Sequence, residues 1–196
     1  MLRNAGIALA VLAVAGGAAW WVLSAEDRAL ATFDQGMKLM GPKTYPEAIR
    51  KFDSAIATWD RNPHVYLQRG IAKAILKQSD AALEDFSRAV AIDPNLAEAY
   101  TGRGDIYRER GEIQQAIEEF TRSINLHPTV DGHFQRGELY EKLGEHQKAV
   151  DDFDRAIAID RLAPYVYRAR SLARKNLGDE AGYVQDRDFA SSIERK

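Results

Sequence analysis

The sequence contains no cysteine in its 196 residues. A disulfide framework, a thiolate metal site, a cysteine nucleophile and a lipid-modified cysteine are therefore excluded. An excess of charge of one sign is missing too: 27 Lys+Arg stand against 29 Asp+Glu, a net of −2. No bulk charge steers the chain to nucleic acid or to an anionic membrane surface. Recognisable chemistry is also scarce. There is no G-x-x-x-x-G-K-[ST] loop, and Gly102-Arg103-Gly104 falls inside a helical stretch, so no phosphate cradle or nucleotide cofactor is implied. There is no G-x-S-x-G elbow. His64, His127, His133 and His146 share no His-x-x-x-His or Glu-x-x-His pairing on one helix face, so no metal site is expected. The acidic pairs Glu118-Glu119 and Asp151-Asp152 read as solvated helix surface. Together these absences argue against an enzyme and against a small-molecule substrate.

Long apolar runs are missing as well, with one exception. Residues 5–24, AGIALAVLAVAGGAAWWVLS, carry no charge. A helix of this length spans about 30 Å, the thickness of a bilayer's hydrocarbon core. Arg3 precedes the run, and Glu26 and Asp27 follow it. That order places the N-terminus in the cytoplasm and the remainder across the inner membrane, in the periplasm or another extracytoplasmic space. Trp20 and Trp21 sit at the far end, where indoles favour the interface. A cleaved signal peptide is the competing reading, because Ala13-Val14-Ala15 offers a small-x-small site. The apolar run continues past that site, as a stop-transfer anchor would. Residues 1–28 are accordingly read as a membrane anchor with a short linker.

The rest of the chain is periodic. Ala48, Ala82, Ala116 and Ala149 recur at spacings of 34, 34 and 33. Phe52, Phe86, Phe120 and Phe153 repeat those spacings, as do Gly36, Gly70, Gly104 and Gly137. Each unit reads as two helices. In the third, Ala99 to Tyr107 forms one apolar stripe, Gly111 permits the left-handed turn that ends a helix, and Ile113, Ala116, Ile117, Phe120 and Ile124 form the second. Gly144 and Gly178 punctuate the next two units alike, and Thr44-Tyr45-Pro46-Glu47 offers a capping box in the first. Each pair leaves an apolar face that the next must cover. The expected fold is all-α, a right-handed α-solenoid of stacked helix-turn-helix repeats after one N-terminal transmembrane helix. A further pattern follows the period. Arg69, Arg103, Arg136 and Arg170 each precede Asp85, Glu119, Asp152 and Asp186 by sixteen residues, while the first unit has Gln35 and Lys51 in those places. These are read as structural, partly exposed ion pairs within each hairpin, each contributing ~1 kcal/mol or less.

The residues Tyr100, Gly104, Tyr107, Gly111, Ala116, Phe120 and Pro128 of the third unit resemble the signature of tetratricopeptide repeats. Tyr66, Gly70, Ala82, Phe86, Ala89 and Pro94 of the second do the same. The resemblance covers residues 29–196: units 29–62, 63–96, 97–129, 130–162 and a degenerate capping repeat, 163–196, read as a helical pair with a polar outer face or as a frayed helix. In that family, the first helices of successive repeats line a concave groove that holds a partner peptide or helix. The resemblance thus implies a groove built from Phe33, Met37, Leu67, Ile71, Glu98, Asp105, Arg108, Phe134, Glu138 and Arg168. Its N-terminal half is apolar and its middle acidic, which suits an apolar, basic partner segment. Leu30, Phe33 and Met37 could equally pack on the linker or the bilayer. The family's two-carboxylate clamp for chaperone tails requires Lys, Asn and Arg at places that here hold Phe33, Met37, Gln68, Glu98 and Gly102. The implied function is a membrane-anchored adaptor that binds another protein. Assembly or maturation factors for envelope proteins, and a secreted soluble repeat protein, are the alternatives.

Overall fold

A computed structural model describes residues 24–194. They form ten helices: α1 (Ala25–Lys38), α2 (Tyr45–Thr58), α3 (Pro63–Ile75), α4 (Ser79–Ile92), α5 (Ala97–Glu109), α6 (Ile113–Leu126), α7 (Val130–Lys142), α8 (His146–Ile159), α9 (Pro164–Asn176) and α10 (Glu180–Glu194). Among the described residues there is no strand. Consecutive helices pair into five hairpins, and the second helix of each packs on the first helix of the next. This neighbour-to-neighbour pattern is that of an α-solenoid.

The expected spanning segment, residues 5–24, lies outside the described residues except for Ser24. Among the described residues no helix is long and apolar enough to cross a membrane. Ser24 is the N-cap of α1. Its Oγ accepts from the Asp27 N–H at 3.0 Å, and Asp27 Oδ2 accepts from the Ser24 N–H at 3.1 Å. This capping box satisfies two otherwise orphaned donors. The array therefore opens at Ala25, inside the residues read as linker. The capping box expected at Thr44 does not form. Thr44 makes no side-chain cap bond to α2; its hydroxyl donates back to the Gly41 carbonyl instead.

The core repeats with the sequence. Phe52, Phe86, Phe120 and Phe153 are 0–1% exposed, as are Ala48, Ala82, Ala116 and Ala149. Burying each ring stabilises the fold by about 2–3 kcal/mol. The glycines make room for them. A Cβ on Gly70 would lie 2.8 Å from the Phe86 ring. Phe86 is enclosed from its other side by the next unit, where a Cβ on Gly102 would lie 2.6 Å from the same ring. Gly111, Gly144 and Gly178 take positive φ at the hairpin turns, and Lys77 takes φ 61° at the equivalent turn of the second unit. A left-handed lysine there costs roughly 1 kcal/mol.

The fifth unit is a complete hairpin of α9 and α10, not a frayed helix. Ser171 stands in the glycine place, 4% exposed, and its hydroxyl donates to the Arg168 carbonyl. The outer face of α10 is less polar than expected. Val184 and Phe189 are 41% and 42% exposed, and the Phe189 ring lies 4.6 Å from that of Tyr167.

Candidate functional site

Successive first helices touch directly, α3 on α5 and α7 on α9, whereas successive second helices make no comparable contact. The array therefore curves with its first helices inside, and these line the concave face. Residues with polar or apolar tips on this face form the candidate site.

The sequence-predicted residues are not equivalent on that face. Met37 is exposed, while Phe33 is half-buried with its ring 5.7 Å from Phe52. Leu67 departs most from a groove position. It is 4% exposed and belongs to the core cluster around Phe86, so it offers a partner almost no surface. The reason is geometric: it faces the seam between the second and third units. Ile71, one turn later, is half-buried and reaches a cleft between α3 and α5. Phe134 is half-buried as well, between Phe153 at 5.9 Å and the edge of Tyr165 at 4.9 Å. Glu98 and Arg168 are exposed, and Asp105, Arg108 and Glu138 are half-buried.

The face has a net negative centre. Arg108 is held by Asp105 at 2.8 Å, and Arg168 pairs with Glu194. Glu98 and Glu138 have no ion pair among the described residues. Burial pushes the Asp105 carboxyl above its ordinary range, against the pull of Arg108. Tyr165 donates its phenol to Asp131 at 3.0 Å; burial first, and then that bond, push its pKa up to about 12. The groove thus keeps free carboxylates while its cations are neutralised.

What holds these first helices in place is the arginine series, and here the exposure expected from the sequence needs correction. The carboxylates Asp85, Glu119, Asp152 and Asp186 have side chains only 2–5% exposed, and their arginines only 10–17%. Arg69, Arg136 and Arg170 each give two hydrogen bonds to their aspartate, at 2.6–2.9 Å. They are buried bidentate clamps rather than partly exposed pairs. The first unit replaces the pair with a bond from Lys51 Nζ to Gln35 Oε1 at 2.8 Å. The arginines also reach backward, which the sequence reading missed. Arg69 bonds Asp53 at 2.5 Å, Arg136 bonds Thr121 at 2.9 Å and Arg170 bonds Asp154 at 2.5 Å, each partner in the preceding unit. The recurrence of a short polar residue at this second place was the available signal. His133 Nδ1 lies 3.0 Å from Asp152, completing a buried cluster.

The third unit is the exception. Glu119, one methylene longer than aspartate, takes a single bond from Arg103 at 2.7 Å. Arg103 Nε and Glu119 Oε2 are left buried without a partner. Burial pushes the Glu119 carboxyl up, against the attraction of Arg103 and Arg122. Glu119→Asp is expected to restore the two-bond geometry and raise stability by about 1 kcal/mol, read as a higher urea midpoint at unchanged slope. A lower midpoint would show that the longer side chain suits this site.

Comparison with known proteins follows the same lines. Family models described as tetratricopeptide repeat match residues 43–97, 86–118 and 130–161, and one described as TPR repeat matches 104–144; between them they span 43–161 without a gap. The chain is 32% identical over 92 residues to small glutamine-rich tetratricopeptide repeat-containing protein 2 of Saccharomyces cerevisiae, covering 47% of this chain and 27% of that one. It is 24% identical over 95 residues to the Hsp70-Hsp90 organizing protein of Triticum aestivum, covering 48% and 16%. The chain thus spans less than a third of the length of these curated relatives. Among solved structures, a MamA protein superposes with a TM-score of 0.77 at 25% identity, over 86% of this chain and 92% of that one. The four overlapping matches, the ten stacked helices and the glycine–phenylalanine register converge: this chain is a tetratricopeptide-repeat protein.

Proposed function

We propose that this protein is a membrane-anchored adaptor whose concave face binds an apolar, basic segment of another protein. The observation that carries the reading is the charge state of that face. Its arginines are neutralised internally, while Glu98 and Glu138 have no ion pair among the described residues, on a face that also carries half-buried Ile71 and Phe134. Such a surface attracts cations and desolvates apolar side chains. It needs no chemistry of its own. The uncharged run 5–24 supports an anchor with the array on the extracytoplasmic side of the inner membrane. Because α1 begins at Ala25, the groove would start directly beside the bilayer. Tethering raises the effective concentration of membrane-associated clients.

The test is photo-crosslinking in cells with a benzophenone side chain in place of Met37 or Phe134, which leaves Glu98 and Glu138 unaltered. A discrete adduct is expected from both groove positions, absent from Arg155 on the opposite helices. Loss of the adduct is expected in the charge-reversed chain Glu98→Lys, Glu138→Lys, by about tenfold at low salt. The reading fails if the reversed chain captures the same adduct equally well.

A further inference from the structure

Between α3 and α5 the concave face opens into a cleft of about 160 Å³. This is room for a side chain, rather than for one or two ordered waters. Ile71, Ala74, Phe86 and Ile106 form its apolar walls. Asp105 and Glu109, one helical turn apart on α5, stand at its edge. The chain's own cations already pair with both carboxylates. Arg108 reaches Asp105 Oδ1 at 2.8 Å, and the 72% exposed Lys77 reaches Glu109 at 3.1 Å. Asp105 Oδ2 accepts no hydrogen bond among the described residues. A half-buried carboxylate with one open oxygen therefore lines an apolar cleft.

This combination discriminates between occupants. An acidic side chain would meet Asp105 and Glu109 with like charge. A purely apolar one would desolvate the Asp105–Arg108 pair further and leave Asp105 Oδ2 without a partner. A lysine or arginine satisfies both halves: its methylene stem lies along Ile71, Ala74 and Ile106, and its charged end reaches Asp105 Oδ2. We propose that this cleft is the specificity pocket of the groove, taking one Lys or Arg side chain of a partner segment with apolar residues on either side of it. The inference rests on the groove being the binding surface and adds which side chain it selects. The upward shift of the Asp105 carboxyl by burial agrees with a charge that a ligand's cation would relieve.

The experiment is selection of a random short-peptide phage library on the full chain held in mild detergent. The selected peptides are then measured as synthetic ligands by fluorescence anisotropy. The expected result is enrichment of a Lys or Arg between apolar residues. Replacing that residue by norleucine should weaken binding about tenfold on the natural chain and leave it unchanged on Asp105→Asn. The norleucine change leaves the protein untouched, so misfolding of a variant cannot mimic it. If peptides bind and the Glu98→Lys, Glu138→Lys chain loses them, but norleucine costs nothing, the pocket is overturned and the groove stands. If the selected peptides bind that reversed chain equally well, the groove reading itself fails, and the pocket with it.

Discussion

Replacing Asp152 by Ala is expected to cost about 3–5 kcal/mol of folding free energy, a large fraction of the stability of a domain this size. Asp152 accepts two bonds from Arg136, at 2.8 and 2.7 Å, and lies 3.0 Å from His133 Nδ1. Its removal leaves a guanidinium, 10% exposed, without its counter-charge in the middle of the fourth hairpin. By contrast, Glu47→Ala breaks only an exposed pair with Arg50, 3.8 Å apart, and should change stability by less than about 0.5 kcal/mol. The double replacement Arg136→Met, Asp152→Leu should cost less than Asp152→Ala alone, since it removes both charges together. Urea unfolding followed by circular dichroism ranks the three. If Asp152→Ala cost no more than Glu47→Ala, the clamp would be decorative. Acid should act on the same cluster. Burial pushes the Asp152 carboxyl up, but the bonds from Arg136 and His133 outweigh it and hold the carboxyl below its ordinary range. A carboxylate with a lowered folded pKa stabilises fully above its unfolded value, about 3.9, and loses that contribution as pH falls toward the folded one. The cluster should therefore survive mild acid and fail below about pH 4.

Phe86→Ala should cost about 3–5 kcal/mol, because it empties a site that two units share. The ring is 1% exposed, and Gly70 and Gly102 approach it from different hairpins. The opposite error is also informative. Gly102→Ala would drive a Cβ to within 2.6 Å of the ring and should cost about 1–3 kcal/mol by overpacking. Combining Gly102→Ala with Phe86→Leu should recover part of that loss, since the smaller side chain vacates the space. Additive costs in the double variant would mean that ring and glycine are not in competition. The measurement is the free energy of unfolding of the four proteins in one cycle.

The period was the most legible part of this chain. Ala, Phe and Gly at one spacing foretold the first four hairpins, because each residue type answers a single packing demand: close approach, filling, or absence of a Cβ; the fifth follows only from extending the period. The sixteen-residue Arg–acid spacing likewise identified the clamp partners correctly. It could not reveal their burial, since spacing fixes who meets whom but not how deeply the next unit covers the pair. The same limit explains Leu67. On the helix it lies one turn from Ile71, yet the seam takes Leu67 and leaves Ile71 at a cleft. The left-handed turn at Lys77 carries no mark in the sequence, because glycine, not lysine, is the residue type that signals such a turn. The pocket has no trace in the sequence: Ile71 and Asp105 belong to different repeats, and only the stacking brings them to one opening.

The backward-reaching arginines rivet three of the four seams between units. The first and second units are joined by Arg69 to Asp53, the third and fourth by Arg136 to Thr121, and the fourth and fifth by Arg170 to Asp154. The seam between the second and third has no such rivet. Ser87 stands in the partner's place, and Arg103 Nε has no partner. That seam also holds the α3–α5 cleft. That seam is crossed instead by the exposed pairs Lys77–Glu109 and Arg110–Asp80. Exposed pairs are screened by salt far more than arginines that are mostly covered, so ionic strength should act on this joint, and on the cleft it holds, before the other three.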